Sequence, residues 1–158
     1  MSHFLYRTTN SALGLVEIAA VERGLTSIAF VDTPTARSNE VPPFIESCIE
    51  QLQQYFAGGR RAFYSLPLAI RGTEFQQRVW DAVLSIPFGE TVTYAELARD
   101  MGKPDAARAV GTALSRNAIG IIIPCHRVVS AHQGSSGGYA WGEWRKEWLL
   151  DHERRHKT

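Results

Sequence analysis

The stretch Ile119-Gly120-Ile121-Ile122-Ile123-Pro124-Cys125-His126-Arg127-Val128-Val129 constrains this chain more than any other. A run of isoleucines has to be buried, and it predicts a core strand. Pro124 carries no amide hydrogen, so it should end the strand's ladder pairing. Cys125 would then stand where a buried strand leaves the core, with an imidazole next to it in sequence. On the strand itself, a cysteine would read as an inert buried thiol. Past a proline and beside His126 and Arg127, it has positive groups at hand to stabilise a thiolate. Such a nucleophile needs a base, and the base needs an orienting group. His126 is the nearest base, and Glu153 and Asn117 are candidates to orient it. These residues alone leave hydrolase, transferase and redox sensor open.

A chain of 158 residues can build one domain or two small ones around a real core. Its 44% hydrophobic and 21% charged residues are ordinary for a globular protein. No apolar stretch approaches the roughly 20 residues that span a membrane. The first ten residues do not read as a signal peptide. Two cysteines, Cys48 and Cys125, make no disulfide framework. The expectation is a reducing, cytoplasmic setting with no membrane association. Net charge is +1, with 5 Lys/Arg against 6 Asp/Glu in residues 1–70 and 12 against 10 in residues 71–158. A nucleic-acid partner would therefore be held by a few placed groups and a modest electrostatic attraction.

Taken in order, residues 4–31 read as three short antiparallel strands, with turns at Asn10-Ser11-Ala12 and Glu22-Arg23-Gly24. Asp32 to Pro43 is loop. Phe44 to Phe56 has helical apolar spacing, with Cys48 on the stripe as a small buried hydrophobe. Phe63 to Ile70 reads as a further strand interrupted by Pro67. A boundary falls near Ile70. Beyond it, Thr73 with Gln76 and Thr93 with Glu96 are capping boxes that open two helices. Gly102-Lys103-Pro104 is a tight turn, and Pro104 suits the first position of a helix running to about Ser115. Helix, short glycine-containing turn, helix is the helix-turn-helix pattern. The second helix is rich in small residues, Ala106, Ala107, Gly111 and Thr112 among them, which suits close approach to another helix or to a DNA groove. Arg108 on it is either a solvated charge or a DNA contact. Glu143 to Arg155 reads as a terminal helix packing Trp144, Trp148 and Leu149. Its end, His152-Glu153-Arg154-Arg155-His156, matches the H-E-x-x-H zinc pattern. Two arginines between the histidines oppose a dication and no third ligand follows, so no metal site is expected.

Five blocks together carry a resemblance. They are Arg71-Gly72-Thr73-Glu74-Phe75-Gln76-Gln77-Arg78-Val79-Trp80, Ile86-Pro87-Phe88-Gly89-Glu90-Thr91, Ala106-Ala107-Arg108-Ala109-Val110-Gly111, Pro124-Cys125-His126-Arg127-Val128-Val129 and Lys146-Glu147-Trp148-Leu149-Leu150. In that order they resemble the O6-alkylguanine-DNA alkyltransferases, also called methylated-DNA–protein-cysteine methyltransferases. The resemblance covers nearly all of residues 71–153. It implies an α/β (α+β) fold. A small antiparallel sheet-and-helix domain spans residues 1–70, and a helical domain with a helix-turn-helix, residues 71–158, binds DNA and accepts the alkyl group.

What the resemblance implies for function is direct-reversal repair. The partner is duplex DNA containing O6-alkylguanine, with O4-alkylthymine as a further substrate. The damaged base is flipped from the stack, and one cysteine takes the alkyl group once, without a cofactor. Cys125 matches the acceptor, His126 the histidine that takes its proton through water, and Glu153 the carboxylate that orients the histidine. Asn117 matches the asparagine that supports the active-site turn. Tyr94 matches the tyrosine that helps guanine leave as a neutral species. Arg108 matches the finger that fills the vacated stack. Ala106, Ala107, Gly111 and Thr112 belong to a helix that reads the minor groove. Val128, Tyr139, Ala140, Trp141 and Lys146 fall at pocket positions. A monomer is expected, and whether it is cooperative on DNA is left open by the sequence.

Some features depart from the family. The loop from Val129 to Tyr139 is one residue longer than expected. Ala140 and Trp141 stand where some members carry serine and glycine. An indole there should narrow the pocket and favour methyl over bulky adducts. The family's N-terminal zinc residues are not evident. Three rivals remain distinguishable. A protein that flips the lesion without transfer would lack the cysteine, a helix-turn-helix regulator would prefer one sequence, and a cysteine hydrolase would turn over.

Overall fold

The computed structural model describes residues 4–34, 37–132 and 135–157. The chain divides into two compact units, Met1–Ile70 and Arg71–Thr158, and its architecture is mixed α/β.

In the first unit, β1 (Leu5–Ser11), β2 (Gly14–Val21) and β3 (Gly24–Val31) form one antiparallel sheet in that order. The register runs from Leu5 opposite Ala20 to Ser11 opposite Gly14. The Ser11 hydroxyl closes the first hairpin by donating to the Gly14 carbonyl at 2.7 Å. Gly14 takes φ +107°, open to glycine at no steric cost. α1 (Pro43–Phe56) starts with proline in its first turn and buries Ile45, Cys48, Leu52 and Tyr55. Burial pushes the Cys48 thiol up to about 12, so it is a packing residue.

The strand expected over Phe63–Ile70 does not form. Leu68 makes a single parallel bridge to Leu25. The Leu25 amide donates to Pro67 O and the Ala69 amide to Leu25 O, at 2.8 and 2.7 Å. Pro67 has no hydrogen to extend the ladder, so pairing stops there.

The second unit holds α2 (Glu74–Leu84), β4 (Val92–Thr93), α3 (Tyr94–Asp100), α4 (Ala107–Ser115), a 3-10 turn (Cys125–Arg127), β5 (Val128–Val129) and α5 (Glu143–Arg155). Both capping boxes form, Thr73 with Gln76 and Thr93 with Glu96. The two-residue strands β4 and β5 pair in parallel, Val92 with Val128 and Thr93 with Val129. This pairing ties the start of α3 to the residues just after Cys125. Trp80 of α2 donates its indole N–H to Ala113 O of α4 at 2.9 Å in the interior. α4 starts later than Pro104. The Ala106 amide closes a turn onto Lys103 O at 2.9 Å, with Pro104 at the second turn position, which fixes its φ as such turns require.

Two further expectations give way to the structure. The isoleucine run is buried, with Ile119, Ile121 and Ile123 all but inaccessible, yet it is a coiled turn and not a strand. Ile121 takes φ +70°, and the Ile122 amide reaches Gly120 O at 2.7 Å. The side chain of Asn117 does the work of a neighbouring strand. It accepts from the Ile119 amide at 2.9 Å and donates to Ile119 O and Ile123 O at 3.1 and 3.2 Å. On α5, the inward face is Lys146, Leu149, His152 and Glu153. Trp144, expected in the core, is 57% exposed, because the buried stripe of this helix is ionic rather than aromatic.

Candidate active site

Cys125 begins the 3-10 turn, nearly closed to solvent. Its neighbours follow from the coiled isoleucine turn, since the Asn117 amide that holds the turn also donates to Sγ at 3.1 Å. Burial pushes the thiol up to about 12, against the opposing pull of the Asn117 hydrogen bond and the Lys146 charge. At neutral pH the group is a thiol, and a nucleophile has to be made by removing its proton.

His126 is fully buried, and its Nε2 lies 2.6 Å from Glu153 Oε2. Burial lowers its pKa, and the Glu153 hydrogen bond only partly offsets this. Burial also opposes ionisation of Glu153, but the hydrogen bonds and charges of His126 and Arg127 outweigh it and hold the carboxyl well below the usual range. The two directions agree on a neutral imidazole beside a carboxylate. A carboxylate only accepts, so Nε2 carries the hydrogen and Nδ1 is left with its lone pair. Nδ1 is buried without a protein partner.

Glu153 has further donors. Arg127 Nε and Nη2 approach its two oxygens at 2.8 and 3.1 Å, and the Gly89 amide reaches Oε1 at 3.1 Å. Arg127 Nη1 donates to Ile86 O at 2.7 Å. Arg127 therefore clamps Glu153 instead of facing the thiol, where sequence reading had set it. The cation felt by Cys125 is Lys146. This clamp role was missed. Its available signal was the block Ile86-Pro87-Phe88-Gly89, whose turn supplies a carbonyl to Arg127 and an amide to Glu153.

Lys146 is completely buried, with Nζ 2.6 Å from Val128 O, 3.0 Å from Gly138 O and 3.4 Å from the Tyr94 hydroxyl. Burial lowers its pKa to about 8. Tyr94 opens α3, and burial, with the Cys125 charge, raises its pKa against the Gly138 backbone bond, so it stays a donor. A cavity of about 390 Å3 is lined by Tyr94, Cys125, Tyr139, Ala140 and Trp141, closed on the α4 side by Gly111, Leu114 and Ser115. Gly111 thus faces the cavity, where a Cβ added to it would lie 3.9 Å from the Tyr94 ring. Sequence reading had assigned it to the DNA face. Tyr139 packs edge-on against His126 and against Trp141, with centroids at 6.4 and 5.3 Å.

Cys125, His126, Glu153, Asn117, Tyr94 and Lys146 come together in this unit, with Val128 contributing its carbonyl. Arg108, Thr112 and the flanking Ala106 and Ala107 stand apart on α4, where Arg108 and Thr112 are exposed. The extra residue expected between Val129 and Tyr139 concerns a loop in which Gln133 and Gly134 lie outside the described residues. Among the described residues no cluster of His, Cys, Asp and Glu converges on a metal position. In the H-E-x-x-H segment, His152 stacks on Trp148 at 4.8 Å and Glu153 turns to His126.

Comparison with known proteins identifies relatives of both units. Residues 74–155 match the family model described as 6-O-methylguanine DNA methyltransferase, DNA binding domain. Residues 4–70 match the model for the ribonuclease-like domain of the same proteins. A methylated-DNA–protein-cysteine methyltransferase of Mycolicibacterium paratuberculosis is 45% identical over 96% of this chain and 93% of its own. The crystal structure of the Mycobacterium tuberculosis O6-methylguanine methyltransferase superposes with a TM-score of 0.86 at 40% identity, covering 98% of this chain and 94% of that one. A structure of the M. tuberculosis protein in complex with DNA gives 0.84 at 43% identity, over 96% and 93% of the two chains. With both halves matched in order and the cysteine site assembled, the chain belongs to the methylated-DNA–protein-cysteine methyltransferase family of DNA repair proteins.

Proposed function

We propose that this protein removes the alkyl group from O6-alkylguanine in duplex DNA, chiefly methyl, and from O4-alkylthymine as a lesser substrate. It flips the damaged base into the cavity and transfers the group to Cys125 once per molecule. The carrying observation is a buried thiol at a base-sized cavity, next to an imidazole held by Glu153 in the tautomer that can accept a proton. A flipped base and its small adduct fit a cavity of about 390 Å3.

Displacement at a saturated carbon needs a polarisable nucleophile, which a thiolate is. The Cys125 proton passes through water to His126 Nδ1. The S–C bond forms, the C–O6 bond breaks, and the electron pair leaves on guanine. Tyr94 donates a proton to the departing base, so guanine leaves neutral. The carbonyls of Cys125 and Val128 and the Ala140 amide hold the base edge. Arg108, whose guanidinium is exposed, fills the gap in the stack. The small residues Ala106, Ala107 and Thr112 let α4 enter the narrow minor groove, and sequence preference should be weak. Trp141 at the cavity narrows it toward methyl adducts. Inactivation by benzylated free guanine at low micromolar concentration would contradict this. A thioether product leaves nothing to recycle, so no cofactor is called for. The protein acts as a cytoplasmic monomer. No described helix is long and apolar enough to cross a membrane.

The test is to incubate the protein with a duplex containing O6-methylguanine and weigh it. The expected result is a gain of one methylene mass on the peptide bearing Cys125, absent from Cys125→Ser, which still binds the duplex. Bound DNA with Cys125 unmodified would favour flipping without transfer.

A further inference from the structure

Two buried polar atoms beside Cys125 have no protein partner, and they belong to rings in contact. One is His126 Nδ1 and the other is the Tyr139 hydroxyl. The rings meet edge-on at 84° with centroids 6.4 Å apart, and Tyr139 and Cys125 line the same cavity. Buried polar groups are nearly always paired, and two such orphans at one reacting sulfur call for a small polar bridge. A buried water holds its place with about three hydrogen bonds. Sγ and Nδ1 supply only two.

We propose that Tyr139 is a positioning residue whose hydroxyl is the third anchor of the proton-relay water between Cys125 and His126. The inference deepens the functional reading above and rests on it.

The chemistry assigns each proton. Nε2–H is committed to Glu153, so Nδ1 accepts one hydrogen from the water. The water oxygen accepts the Cys125 S–H and the Tyr139 O–H. As Cys125 gives its proton to the water, the water gives one to Nδ1, and the Tyr139 proton stays on its oxygen throughout. After the exchange the water accepts from Nδ1–H and the Tyr139 O–H and donates to the thiolate, so the third anchor holds it where it stabilises the negative charge formed on sulfur. Burial raises the Tyr139 pKa, and the charges of Cys125 and Glu153 raise it further, so the hydroxyl remains a donor while the thiolate forms.

Tyr139→Phe keeps the ring and its packing against Trp141 and deletes only the hydroxyl. Two measurements read the relay. The first is the thiolate absorbance of the free protein across pH, corrected by the same titration of Cys125→Ser. The second is the single-turnover transfer rate from an O6-methylguanine duplex, also across pH. We expect the thiolate midpoint to rise by about one unit and transfer near neutrality to slow about tenfold, as loss of a positioned proton-transfer partner does. The deficit should shrink as pH rises, because hydroxide replaces the relay. In the His126→Gln background the same substitution should add nothing, as expected for groups acting as one unit.

An unchanged midpoint with a rate loss uniform in pH would overturn the proposal and leave Tyr139 a packing residue. Additive losses in the double variant would overturn it as well. If the unaltered protein transfers no methyl, the functional reading fails, while the thiolate titration still decides whether Tyr139 shares the relay.

Discussion

Glu153 accepts from His126, Arg127 and the Gly89 amide at once, and this carboxylate and its histidine together shape how stability responds to acid. Its folded pKa is depressed, so it contributes stability above the ordinary carboxylate value, and that contribution is lost as pH falls through the folded value. His126 is also depressed. The unfolded chain takes up its proton below about 6.5, which draws the equilibrium toward unfolding. Stability should therefore decline in two stages on acidification, first below about pH 6.5 and again below about 4.3. Glu153→Gln leaves Arg127 buried without its charge partner and cannot satisfy every donor. It should cost about 3–5 kcal/mol in chemical denaturation and abolish transfer, and a melting curve like that of the unaltered protein would contradict the clamp. Cys125 and His126 could be read from sequence because they are adjacent there. The bidentate grip of Arg127 on Glu153 could not, since it depends on α5 being laid against the 3-10 turn, 26 residues away in sequence.

At the scale of elements, periodicity located helices well and misjudged segments whose hydrogen bonds are made by side chains. α1, α2 and α3 carry their own start signals in Pro43, Thr73 and Thr93. The isoleucine run carries only its apolarity, and the Asn117 amide that coils it makes its bonds to a chain path that spacing does not encode. The terminal helix misled for a related reason. Tryptophans suggest a core, but Lys146 takes the inward place because its Nζ joins β5, the Gly138 segment and the start of α3. Lys146→Met should leave two carbonyls without this donor and destabilise by on the order of 2–4 kcal/mol. The sign of its pH dependence is also set. The folded pKa, about 8, lies below the unfolded value of 10.5, so between them the folded state binds fewer protons and the Lys146 contribution grows as pH rises. Denaturant midpoints at pH 8 and 10 should diverge in the unaltered protein relative to Lys146→Met, with the larger gap at pH 10. A gap that narrows would show that the folded state prefers the charged amine.

On the scale of the whole molecule, charge decides how the protein meets DNA. The net charge is +1, and several cations of the second unit are already paired: Arg127 with Glu153, Arg154 and Arg155 with Asp151, Lys157 with Glu90. On α4, Arg108 stands among neutral small residues. With Arg108 the one cation on α4, that helix displaces few counterions from the phosphate backbone, so binding should rest on groove fit and on the cost of extruding a base. With about three phosphates neutralised, log affinity for duplex DNA should fall against log salt with a slope near −3. Anisotropy titrations between about 50 and 200 mM salt measure it. Arg108→Ala should lower transfer through loss of the stack-filling group while changing the slope by less than about 1, since one cation contributes at most one counterion. A slope near −8 would mean that a broad basic surface outside these residues dominates binding. A fall in slope of several units on removing Arg108 would mean that it organises other phosphate contacts rather than entering the stack.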